Sequence, residues 1–316
     1  MSAHRRFRVP RGASLATTVA AACAAAAIGC HRAPVSLTPE STTVHTIGGV
    51  GFDEPENLVY DAAADVYLVS NIVGDPAKRD NNGFISRVSP DGRVLTLKWI
   101  AGGVNGVVLD APKGLAIRGD TLAVADVGSV RLFDRRTGAP IATHAVPGLV
   151  MNDVAWGADG TLWITDTGPD RTTTPVDTSK DVDAVWRIAP DGRVSVVARG
   201  LALDRPDGLL LRDDGALVTT FGANRIEQVG ARGESGGRAV MTLPGGRVDG
   251  LRRLPDGDIA VTSWDARAVW RAHPGESPRV LLSGVTSPAG VAVDTRRDRL
   301  AVTSMQGNSL YLLPLR

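Results

Sequence analysis

A short phrase returns six times along the chain, and a repeat of this period restricts the possible folds more than any other feature of it. The copies are PENLVYD from Pro55, PKGLAI from Pro112, MNDVAW from Met151, PDGLLL from Pro206, VDGLRR from Val248 and PAGVAV from Pro288. Each reads as a small or polar turn leading into an apolar strand. A second strand follows each copy. YLVSN ends at Asn71, LAVAD at Asp126, LWITD at Asp166, ALVTT at Thr220, IAVTS at Ser263 and LAVTS at Ser304. Units of short strands at this period stack on one another to bury a shared core, and a ring of them is a propeller. The predicted fold class is all-β, a six-bladed β-propeller over residues 46–316. Asp-Gly pairs in SPDGRV, APDGRV, RDDGAL and LPDGDI mark tight hairpins between strands. The segment 46–54 is expected to join the C-terminal YLLPL strand and close the ring, which removes exposed sheet edges.

The N-terminus reads as an export signal. Residues 1–12 carry four arginines and no acid, and an Ala-rich run then leads to AIGC at Ala27–Cys30. A charged start, an apolar stretch and small residues before a cut form a signal peptide over residues 1–29. AIGC resembles a bacterial lipobox, so Cys30 is expected to be the lipidated first residue. Ordinary cleavage near Ala27 or Gly29 is the alternative. Residues 30–45, polar with two prolines, read as a tether. This predicts a protein of the cell envelope, facing the periplasm or the outer membrane. Its only membrane contact would be the lipid on Cys30. Without residues 1–29 the chain has 31 basic and 34 acidic residues, which argues against nucleic acid as a partner. The only cysteines are Cys23 and Cys30, so no disulfide can brace the mature domain. A monomer is expected.

The second residue of the six phrases reads Glu56, Lys113, Asn152, Asp207, Asp249 and Ala289. If every first strand lines the central channel, these side chains form one ring. Four of them are hard oxygen donors. Converging carboxylates repel unless a cation sits among them, and calcium accepts an irregular oxygen set. The absence of His and Cys from these positions disfavours zinc. The bland alternative is that the Asx residues only cap turns. Three carboxylates exceed the charge of a divalent ion, so one should have a raised pKa. That makes Asp207 or Asp249 a candidate general base. Lys113 would offset surplus charge.

Antiparallel pairing puts the start of each first strand and the end of each second on one face. Asn71, Asp126 and Asp166 are thus expected beside the ring. The long loops after Asn71 and Asp166 rise there as candidate lids. GESGG at Gly233–Gly237 matches a nucleophile-elbow pattern, but lacks the strand-turn-helix setting it needs.

PEN at Pro55, MND at Met151, PDGL at Pro206 and VDGL at Val248 resemble the motifs of the gluconolactonase, regucalcin and luciferin-regenerating enzyme family, a distant relative of paraoxonase. The resemblance covers roughly residues 50–316. It implies a six-bladed propeller with a divalent metal in its channel, held by Glu56, Asn152, Asp207 and Asp249. It also implies that Asp249 is the base in lactone hydrolysis. Asp207 stands where these enzymes commonly have Asn. The expected activity is calcium-dependent hydrolysis of a lactone or related ester, with a small-molecule substrate. The alternatives are a non-catalytic binding propeller and a non-hydrolytic enzyme of the strictosidine-synthase-like type.

Overall fold

The described residues form twenty-two strands, and the apolar alternation along the inner ones explains how they stack. The structure is a computed structural model, and it describes residues 43–169, 183–230 and 237–315. The first blade consists of β2 (Pro55–Asp61), β3 (Val66–Asn71), β4 (Phe84–Val88) and β5 (Val94–Ala101), paired in that order. A later one holds β12 (Pro206–Arg212), β13 (Gly215–Thr220), β14 (Arg225–Gly230) and β15 (Arg238–Thr242). The next holds β16 (Val248–Arg253), β17 (Ile259–Ser263), β18 (Ala268–Ala272) and β19 (Arg279–Ser283). The last is built from β20 (Pro288–Asp294), β21 (Arg299–Ser304) and β22 (Ser309–Pro314), with β1 (His45–Gly48) on its outer edge. The ladder from His45↔Leu312 to Gly48↔Ser309 joins the two ends of the domain. His45, read from sequence as tether, is the first residue of this ladder.

The backbone ladders form five sheets where the repeats lead one to expect six. Four sheets have four strands. The fifth has six: β6 (Leu115–Arg118), β7 (Thr121–Asp134), β8 (Pro140–Trp156), β9 (Leu162–Asp166), β10 (Ala184–Ile188) and β11 (Val194–Arg199). Two blades run together here because β7 and β8 each serve twice. The start of β7 pairs with β6, whereas Ser129–Phe133 pair with the first part of β8. The Arg135 amide bonds back to the Asp120 carbonyl, so β7 folds on itself at Gly128, whose φ is 60°. The far end of β8 leaves this blade and pairs with β9. Sixfold order survives at the centre. The inner strands β2, β6, β8, β12, β16 and β20 touch one another in sequence, and β20 touches β2 again.

Six apolar clusters fill the six gaps between neighbouring blades. Along β13 the side chains alternate between gaps. Ala216 and Val218 face β9 and β10 with Trp163 and Val185, while Leu217 faces β17 with Ile259 and Val261. Period-two alternation with both faces covered makes these strands almost wholly apolar. Each fully buried Val, Leu or Ile contributes about 1.5–3 kcal/mol. Among the described residues the only helical turn is the 3-10 segment Leu201–Leu203. No helix among them is long and apolar enough to cross a membrane.

Candidate metal centre

The repeated phrases are not turns before strands. Five of the six lie inside the inner strands, at the point where the ladder breaks, while Pro112–Gly114 come just before β6. Pairing skips from Pro55 to Leu58, from Met151 to Val154, from Pro206 to Leu209, from Val248 to Leu251 and from Pro288 to Val291. A bulge of this kind re-aims side chains, here towards the axis. The glycine in third position lets the next inner strand come close. A Cβ on Gly208 would stand 2.5 Å from the Asp249 carbonyl oxygen, and one on Gly250 2.6 Å from that of Ala289. A hydroxyl from four of the second strands then pins the carbonyl of the neighbouring phrase. Thr262 Oγ1 donates to the Ala289 carbonyl at 2.7 Å and Thr303 Oγ1 to the Glu56 carbonyl at 2.7 Å. Thr165 and Thr219 do the same for Asp207 and Asp249. The ring is held by backbone as well as by side chains.

Glu56, Asp207 and Asp249 meet at the axis, with carboxylate oxygens all within 4.8 Å of one another. Their exposures are 4%, 3% and 4%, so water cannot screen their mutual repulsion. Asn152 Nδ2 donates to Asp207 Oδ2 at 2.7 Å, and Trp264 Nε1 donates to Asp249 Oδ2 at 2.8 Å. Glu56 Oε2 and Asn152 Oδ1 are buried with no hydrogen-bond partner. Burial first, and then the Asp249 charge, push the Glu56 and Asp207 carboxyls well above the usual range. Burial also raises Asp249 to about 7, although the Trp264 N–H and an Asp207 hydroxyl donating to it favour its charged form. The ring thus holds protons until something else supplies positive charge.

The other two ring positions differ. Ala289 is fully buried. Lys113 is 2% exposed rather than a solvated turn residue, and its Nζ donates to the carbonyls of Pro76 at 2.8 Å and Ala111 at 2.9 Å. Burial lowers its pKa, while Glu56, Asp126 and Asp207 favour its charged form. The Lys113 charge in turn favours ionised Glu56.

A cavity of about 680 Å³ opens above the ring, with Glu56, Lys113, Asn152, Asp207 and Asp249 lining it. The strand pattern contains two further circles of wall residues that reading the phrases alone missed. One is the residue just after each second strand: Ile72, Thr167, Phe221, Trp264 and Met305. The other is the residue just before the repeated phrase, including Val150, Arg205 and Arg247. The two circles are bonded together. The amides of Ile72, Thr167, Phe221, Trp264 and Met305 donate to the carbonyls of Glu54, Val150, Arg205, Arg247 and Ser287. Their signal was present in the sequence at the same repeat phase, hidden because the residue types vary.

Asn71, Asp126 and Asp166 lie at the expected end of their strands but do not enter the ring. They accept amides from the segments leading to the inner strands. Asn71 Oδ1 takes the Asp53 N–H, Asp126 those of Asp110 and Ala111, and Asp166 that of Val150. Orphan amides at the strand entries explain these acids better than metal binding does. Of the two expected lids, the first reaches the cavity through Asp75, Pro76 and Ala77. The second contributes Thr167, Gly168 and Pro169, and its residues 170–182 lie outside the described residues. So do residues 1–42, with Cys30, and most of GESGG. No histidine lines the cavity. Trp163 and Trp186 are core residues, while Trp156 and Trp270 are only partly buried.

The donor set fits a hard divalent cation. It is all oxygen, it carries more negative charge than its burial permits, and two of its oxygens lack partners. Comparison with solved structures places the same fold elsewhere. A gluconolactonase from Xanthomonas campestris matches with a TM-score of 0.63 at 18% identity, over 86% of this chain and 89% of that one. A luciferin-regenerating enzyme matches at 0.60 and 14%, over 86% and 95%. Virginiamycin B lyase from Staphylococcus aureus matches at 0.59 and 14%, over 87% and 99%. At these identities the likeness is one of fold. No curated protein matches the chain in sequence. Residues 81–306 match the model of the SMP-30/gluconolactonase/LRE-like region, a span that runs from blade one into blade six and contains the ring except Glu56. The chain therefore belongs to the SMP-30/gluconolactonase/LRE-like family.

Proposed function

We propose that the protein is a calcium-dependent hydrolase of a lactone or a related small ester. The observation that carries this reading is the buried cluster of Glu56, Asp207 and Asp249 with Asn152 at the floor of a cavity large enough for a small molecule. These four residues would hold the cation. When bound, it would polarise the lactone carbonyl and stabilise the charge that develops on its oxygen. Asp249 is the base. Its Oδ2 is occupied by the Trp264 N–H, which leaves Oδ1 to take a proton from the attacking water. As the water oxygen bonds to the carbonyl carbon and the ring C–O bond breaks, the same carboxyl returns the proton to the leaving alkoxide. Asn152 orients Asp207 through its amide. Lys113, tied to two carbonyls, balances ring charge rather than moving protons. Phe221, Trp264, Ile72 and Met305 exclude water from the floor.

The test is calcium titration of the purified domain beside a lactone and ester panel, with Asp249→Asn as the control. Bound calcium, turnover in the parent and loss of turnover in the variant are expected. Calcium binding without turnover of any lactone or ester would favour a binding propeller. Export and lipid anchoring through Cys30, and a monomeric state, belong to the same proposal. Their support is the composition of residues 1–45 and the closed sheet edges.

A further inference from the structure

Two of the cavity's wall residues are arginines at the same repeat phase, and they are not equivalent. Arg247 stacks on Trp264, 5.3 Å from the ring centroid, and its Nη2 pairs with Asp265 at 2.6 Å. Arg205 stacks on Phe221 at 5.0 Å. Its backbone amide donates to Asp183 Oδ2 at 2.9 Å, but among the described residues its guanidinium has no carboxylate partner, and its Nε is buried without an acceptor. Both arginines have left-handed backbones, φ 61° at Arg205 and 47° at Arg247. Glu54 and Ser287 share that conformation at the same phase, so it belongs to the repeat and not to the arginines. What distinguishes Arg205 is its charge. A divalent cation together with Lys113 would balance the three ring carboxylates. Arg247 is balanced by Asp265. Among the described residues the remaining acid of the wall is Asp75, which lies in the exposed loop at the mouth and accepts the Ala77 amide. Arg205 lines the cavity two residues from Asp207, with its guanidinium carbon over the Phe221 ring. A planar donor fork without an acceptor, held rigid beside a reaction centre, suits a carboxylate.

We infer that Arg205 is a specificity-determining residue, and that the substrate is a lactone carrying a carboxylate a few bonds from the scissile carbonyl, with an apolar remainder against Phe221, Ile72 and Met305. This rests on the hydrolase reading for the reaction but not for the binding.

The experiment uses two matched probes, the γ-lactone of 2-hydroxyglutarate and its neutral carboxamide. Their kcat/KM values are compared in calcium-saturated parent, Arg205→Gln, Arg205→Lys and Arg247→Gln. The parent should prefer the anionic lactone by about ten- to a hundredfold, as expected for a hydrogen-bonded charge. Arg205→Gln should bring that ratio near one, mainly through KM. Arg205→Lys should fall between, and Arg247→Gln should keep most of the preference. Calorimetric titration with the ring-opened 2-hydroxyglutarate supplies the second readout, and melting curves confirm that each variant is folded. An anionic preference or product affinity that is the same in parent and Arg205→Gln overturns the inference. Arginine-dependent binding with no turnover of either lactone sustains it and refutes the hydrolase reading instead.

Discussion

Replacing Asp249 by Asn tests the electrostatics of the ring without metal. Folding lifts the Asp249 carboxyl from an ordinary value of about 4 to about 7, chiefly through burial. Between those values the folded chain keeps a proton that the unfolded chain has released. Raising the pH across this window therefore draws the equilibrium towards the unfolded state. Glu56 and Asp207 are shifted in the same direction. Three pH units at about 1.4 kcal/mol each give about 4 kcal/mol for Asp249. For a domain of this size that is roughly 8 °C in Tm. Asn has the same shape, cannot ionise and can still accept the Trp264 N–H. Calorimetry in a chelator from pH 4 to 7 should therefore show the parent losing about 4 kcal/mol relative to Asp249→Asn, with the full difference reached above pH 7. Saturating calcium should reverse the trend in the parent, because the ionised ring binds the cation. At 100 times Kd it adds about 2.7 kcal/mol. A parent-minus-variant difference that stays flat across pH 4–7 without metal would refute the reasoning.

Asp207→Asn should still bind calcium, more weakly at pH 8 and with a shallower dependence on pH, and should retain turnover if Asp249 is the base; isothermal titration and a lactone assay check both. Thr262→Val leaves the Ala289 carbonyl without its hydroxyl donor, so a loss of about 1–2 kcal/mol in urea unfolding is expected. Lys113→Met should cost about 2–3 kcal/mol and loosen the loop at Pro76, read as faster amide exchange there. Cys30→Ser should abolish lipid labelling and release the protein from the membrane fraction.

The repeat phase made the ring legible, because Glu56, Asn152, Asp207 and Asp249 occupy equivalent positions and chemistry alone singles them out. It misjudged how they get there. PDG looked like a turn, yet its glycine answers to the neighbouring strand's backbone, a contact no local pattern can reveal. Asp126 and Asp166 were expected beside the ring because strand direction puts them on the right face. Their carboxylates are taken by backbone amides, and the demand for those acceptors appears only when the loops are in place. Arg205, Phe221 and Trp264 were overlooked for the opposite reason. Their positions repeat but their residue types do not, and a search by type passes over them. The merging of two blades into one sheet depends on the length and bend of β7 and β8, to which composition is indifferent.

The pairing of β1 with β22 sets an order of events during synthesis. β1 is the first strand of the domain to leave the ribosome, and its partner is the last. His45 must wait for Leu312. Until then the nascent domain carries two open sheet edges and cannot complete its inner circle, which makes closure slow and leaves the intermediate prone to pairing with other chains. A chain stopped before Ser309 would never escape that condition. Pairing of β22 with β1 thus marks completion of the ring. Glu56 comes from the first blade and Asp207 and Asp249 from the fourth and fifth, so the centre is held together by the same circle whose rim β1 and β22 close.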